Sequence, residues 1–150
     1  MDVNWQKENL VPTGNPQQVW EDYYGRKKSQ RLQEATEMWR QLESAGVASD
    51  TVLALDFVHF GQSQHDAEAL ANQLSENYEM EVVESERDGC WFVKGTTRPY
   101  GIEMTGEQHL GWVEFMADVA NSCACVFSTW AIEAPALGVN LHSEEIESAS

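Results

Sequence analysis

The chain has 150 residues, with 25 acidic against 9 basic side chains and a formal net charge of −16. That length suits one domain with a proper core, burying roughly 68–70% of the unfolded surface. The charge excludes easy contact with phosphate backbones, and with no apolar run near the ~20 residues a bilayer span needs, neither direct nucleic-acid nor membrane binding is expected.

Residues 1–15 are polar and broken by Pro12 and Gly14, and they read as a mobile arm. Asn15-Pro16 has the form of a helix start, an N-cap followed by a proline whose missing N–H costs nothing there. Val19, Trp20, Tyr23 and Tyr24 give the short segment that follows an aromatic face, and Gly25 either ends or weakens it. Arg26-Lys27-Lys28 with Arg31 is the basic cluster of the chain. Leu32, Ala35, Trp39 and Leu42 then recur at helical steps over Ser29 to Ala45, and Gly46 is a natural stop.

Thr51 to Phe60 predicts a central strand, with Leu53, Leu55 and Phe57 on one face and Asp56 marking the wetter one. Ser63 with Asp66 predicts a helix cap, and Ala67, Leu70, Ala71 and Leu74 the buried stripe of the helix behind it. Met80–Ser85 and Cys90–Thr97 read as strands joined through Asp88-Gly89, a hairpin signal. Thr105-Gly106-Glu107-Gln108 fits a capping box opening a helix with Leu110, Val113, Met116, Ala117 and Ala120 inward, and Cys123 to Ile132 closes the set as a last strand. Beyond Pro135 the composition turns small and acidic and predicts disorder.

The order strand–helix–strand–strand–helix–strand over residues 51–133 predicts an α+β, ferredoxin-like βαββαβ sandwich with an additional N-terminal helical segment. Three parts follow: an arm with a short aromatic and basic helix over 1–28, the sandwich with its leading helix over 29–133, and a disordered acidic tail over 134–150. The leading helix is one candidate, through Trp39 and Leu42, to cover the sheet face that the other helices leave open; a partner protein is the other.

Leu32-x-x-Ala35 with Leu42-x-x-x-Gly46 leads into Asp56-Phe57-Val58-His59-Phe60 and Asp66-Ala67-Glu68-Ala69-Leu70. Tyr78-Glu79-Met80-Glu81-Val82, Gly89-Cys90-Trp91-Phe92 and Phe127-Ser128-Thr129-Trp130 follow. In pattern and order these resemble the regulator of ribonuclease E activity B family over about residues 30–133. The resemblance implies a ferredoxin-like fold, high acidity, and inhibition of a large endoribonuclease of messenger RNA decay by protein contact.

Chemistry-bearing residues are sparse. Cys90, Cys123 and Cys125 with His59 could be drawn as a zinc site, but the usual knuckle spacing is missing and buried free cysteine behaves as a small hydrophobe. His65 and His109 fall in first helical turns, where surface histidines are ordinary. No motif carries a mechanism, so neither catalysis, cofactor, metal nor small-molecule substrate is expected. Three cysteines and the absence of a basic-then-apolar leader at Met1-Asp2-Val3-Asn4-Trp5 fit a reducing, cytoplasmic setting.

Charge is uneven: residues 1–50 hold 8 acids and 6 bases, whereas residues 51–150 hold 17 and 3, a net −14. The expectation is therefore a non-catalytic acidic regulator that docks on a basic segment of a protein partner, an endoribonuclease of the ribonuclease E type. Asp56 and Glu133 supply charge, and Phe92 or Trp130 the exposed aromatic anchor. The alternative is an immunity-type protein that neutralises a toxin by binding it.

Overall fold

The structure is a computed structural model and describes residues 16–86 and 89–149. Its first element, α1, runs unbroken from Pro16 to Ser44. The expected division at residue 28 is thus absent: Gly25 lies inside the helix, where tertiary packing outweighs the roughly 0.5–1 kcal/mol cost of glycine there. The expected arm over 1–15 lies outside the described residues. Gly46, at φ +106°, ends the helix, with Gly46 N–H donating to Glu43 and Val47 N–H to Leu42.

The remaining elements follow as β1 (Ala54–Gly61), α2 (Gln64–Leu74), β2 (Glu79–Glu84), β3 (Trp91–Thr96), α3 (Gly106–Ser122), β4 (Val126–Ala134), a 3₁₀ turn at Pro135–Leu137, β5 (Val139–His142) and α4 (Ser143–Ala149). Both expected caps form. Ser63 accepts from the Asp66 N–H, and Thr105 and Gln108 exchange hydrogen bonds in a capping box. The expected acidic tail is instead structured. β5 pairs with β4, and α4 turns Ile146 into the core. Val139 and Leu141 alternate with Asn140 and His142, a strand period that the acidic composition around it obscures.

Among the described residues, five strands form one antiparallel sheet in the order β2-β3-β1-β4-β5, which with four helices makes a mixed α+β structure. On one face Leu55, Phe57, Val93, Phe127, Trp130 and Ile132 are buried under α2 and α3. Burying side chains of this kind contributes about 1.5–3 kcal/mol each. Gly95 lets the Phe57 ring lie across β3, since a Cβ there would come within 2.4 Å of Phe57 Cζ.

α1 joins this same helix layer. Trp39 stacks on His109 of α3 at 5.2 Å and crosses Gly106 so closely that a Cβ there would clash. Lys28 pairs with Asp118 at 2.9 Å and Glu114 at 3.5 Å, while Tyr24 Oη donates to the Cys125 carbonyl and Arg31 Nε to the Phe127 carbonyl. Trp39 and Leu42 are buried as expected, Trp39 against α3 and both within the common core. The opposite sheet face has no described helix across it. Among the described residues, no helix is long and apolar enough to cross a membrane.

Candidate protein-binding face

Pairing register decides which side chains stand on the uncovered face. Asp56 faces Thr96 and Ala131, Val58 faces Lys94 and Thr129, Phe60 faces Phe92 and Val126, and Glu79 and Glu81 of β2 face Thr96 and Lys94. β5 adds Asn140 and His142 beside Glu133 and Ala131. A shallow depression of about 550 Å³ crosses all five strands, lined among others by Asp56, Glu79, Glu81, Lys94, His142 and Glu144.

Next to Asp56 on its lining the Arg98 guanidinium, carried by the loop after β3, forks onto Asp56 at 3.3 Å and Glu133 at 2.7 Å. Thr96 Oγ1 donates to the same Asp56 carboxylate. The hydrogen bonds that Arg98 donates to Glu133 and then to Asp56 raise its pKa, so the cation is permanent. These side chains are partly solvated, and the network is worth on the order of 1 kcal/mol at most. Asp56 and Glu133, two of the four residues expected to meet a partner, are thereby brought together, with Arg98 as a companion that sequence reasoning missed.

The two aromatic candidates separate. Phe92 is half-buried on the uncovered face, its ring 6.2 Å from Phe60. Trp130 is 2% exposed and belongs to the core, stacked on Phe127 and donating its Nε1–H to His109 Nε2 at 3.2 Å. Trp130 is therefore withdrawn as an exposed anchor. The cause is a bulge: the register shifts between Val58 and His59, Phe127 opposes His59 while Thr129 opposes Val58, and the extra Ser128 reverses the alternation. Beside Phe60, the N-terminal half of α1 adds a groove of about 310 Å³ lined by Val19, Trp20, Tyr23 and Val126, with Trp20 40% exposed.

The thiols and histidines offer little chemistry. Cys123 caps α3, Cys125 sits in the turn before β4, and Cys90 precedes β3, so the last strand begins at Val126, after both Cys123 and Cys125, and not at Cys123 as expected. Burial, and next the neighbouring Cys123, push the Cys125 thiol up to about 12, which leaves almost no nucleophilic thiolate at neutral pH. His65 is exposed, but His109 is fully buried, contrary to the surface reading of its helical turn. It lies among Trp39, Trp112 and Trp130. His59 is also fully buried, and burial lowers the two pKa values to about 3 for His59 and about 4 for His109. Neither nitrogen of His59, nor Nδ1 of His109, has a hydrogen-bond partner among the described residues. No three His, Cys, Asp or Glu side chains among the described residues gather in a metal-binding group.

No protein-family model matches the chain, and no curated protein matches it.

Proposed function

We propose that this chain is a non-catalytic, cytoplasmic regulatory protein that binds a basic segment of an endoribonuclease of the ribonuclease E type and inhibits it by contact. The observation that carries the reading is the uncovered sheet face, where Asp56, Glu79, Glu81 and Glu144 line one depression and the same face carries the Phe60–Phe92 pair. The strand order β2-β3-β1-β4, with helices after β1 and β3, supports a ferredoxin-like sandwich to which β5 has been added. It is also the order that the sequence resemblance implies.

Charge and apolar surface have separate parts in this reading. The net −14 of residues 51–150 attracts a cationic segment over distance. That attraction fades as the Debye length shrinks from about 10 Å at 0.1 M salt to about 3 Å at 1 M. Phe92 with Phe60 then holds the complex, because apolar burial is not screened.

The test is to mix the protein with a purified endoribonuclease of that type and follow both association and cleavage of a fluorogenic RNA. Cleavage should slow as complex forms, the on-rate should fall with salt, and Phe92→Ala should mainly raise the off-rate. No association at low salt, a salt-independent on-rate, or a complex that cleaves at the free enzyme's rate would each defeat the proposal.

A further inference from the structure

The acidic face ends in an asymmetric way. At one side β5 is short and is followed directly by α4, which packs on β4 and α1. At the other side β2 is the terminal strand, six residues long, and among the described residues no element lies along its outer edge. α2 packs beneath β2 but does not close its edge. One alternating set of β2 amides and carbonyls therefore faces outward, as on any terminal strand.

The side chains of β2 restrict what can pair there. Glu79 and Glu81 stand exposed on the open face, with Val83 after them, while Met80 and Val82 turn toward the helices. A second copy pairing antiparallel along β2 keeps open-face residues opposite open-face residues, so the registers that overlap the two glutamates set Glu81 against Glu81 or Glu79 against Glu81. Only a slip that leaves Glu79 outside the pair avoids both. Like charges directly opposite one another destabilise a strand pair, whereas opposite charges stabilise it. The edge thus resists its own kind and fits a strand of the opposite pattern.

We propose that the partner's basic segment binds as a sixth strand along β2. Lysine or arginine at alternate positions faces Glu79 and Glu81, and apolar residues between them extend the Met80–Val82 side. The cationic side chains point into the depression, which Glu79 and Glu81 themselves line. Backbone hydrogen bonds supply affinity and the alternate side chains supply selectivity. This inference rests on the acidic-face reading above and specifies how that face is used.

The probe is a short peptide alternating lysine and valine, compared with the same peptide N-methylated on alternate amides so that it cannot pair as a strand. Binding to the full chain should protect the outward-facing amides of Glu79–Glu84 from hydrogen exchange, and N-methylation should weaken it by about tenfold or more. Glu79→Lys combined with Glu81→Lys, both at exposed positions, should lose the basic peptide and gain one alternating glutamate and valine. If both peptides bind equally with no protection in β2, strand addition is wrong while the acidic-face reading stands. If no basic peptide binds at low salt, both fall. Concentration-dependent dimerisation protecting the same amides would also overturn the inference, because the edge would then accept itself.

Discussion

Two fully buried, neutral histidines make this fold sensitive to acid. Burial lowers His59 to about 3 and His109 to about 4, against an ordinary value near 6.5. Both folded-state values lie below the unfolded one, so between about pH 6.5 and 4 the unfolded chain binds protons that the folded chain refuses. Their contribution is therefore intact above pH 6.5 and is lost as pH falls toward the folded values. Each pH unit is worth about 1.4 kcal/mol per histidine. At pH 5 each histidine then costs about 2 kcal/mol, and the pair about 4 kcal/mol, a large part of the roughly 5–15 kcal/mol that holds a typical domain together. Urea unfolding between pH 7.5 and 5 should show this decline. His59→Leu should halve the slope and, by removing two unpartnered ring nitrogens, raise stability at pH 7.5 by about 1–3 kcal/mol. His109→Gln, which keeps an acceptor for the Trp130 Nε1–H, should remove the other half. A wild-type stability flat from pH 6.5 to 5, or a slope that survives in the double variant, would refute the argument.

Trp130→Ala should lower stability by about 3–5 kcal/mol, read as a fall in the urea midpoint, because it empties a core site beside Phe127 and His109. The two glycines should respond with opposite signs. Gly95→Ala, forced against Phe57 and Met80 Sδ, should cost about 1–3 kcal/mol, while Gly25→Ala, with nothing near its added methyl in mid-helix, should gain about 0.5–1 kcal/mol in the same assay. Arg98→Ala should change stability by less than about 1 kcal/mol, with the difference shrinking as salt is added, since its pairs with Asp56 and Glu133 are partly solvated.

The parts of this fold that could be read from the chain are those encoded locally. Ser63 and Thr105 announce their helices through side-chain oxygens placed three residues before the amides they cap, and Leu55 and Phe57 keep a period of two. What escaped the reading depends on distant partners. Phe127 and Trp130 share a face only because β1 shifts register against β4, and a bulge has no signature in one strand's own composition. His109 occupies a first-turn position that is normally wet, and it is buried because α1 lays Trp39 across it. Ser143 becomes a core residue because its Oγ accepts the backbone N–H of Trp130, thirteen residues back. Of the site, the pairing of Asp56 with Glu133 required a loop cation, Arg98, whose reach across the sheet is a tertiary fact. Phe92 was legible, because alternation with Trp91 forces one of the two rings away from the helices.

The position of α1 has a consequence for the order of events during synthesis. Its anchors all lie far downstream: Tyr24 waits for Cys125 across 101 residues, Arg31 for Phe127 across 96, and Lys28 for Asp118 across 90. At about 5–20 residues per second, a ribosome needs roughly 5–20 s to deliver those partners. With 29 residues the helix exceeds the ~12–15 below which isolated helices are marginal, so it can form before anything covers it. Throughout that interval Tyr24, Ala35, Met38, Trp39 and Leu42, all destined for burial, stay available to other hydrophobic surfaces. Helper proteins that grip nascent chains have this stripe as their natural handle, and release must wait until α3 and β4 have left the exit tunnel.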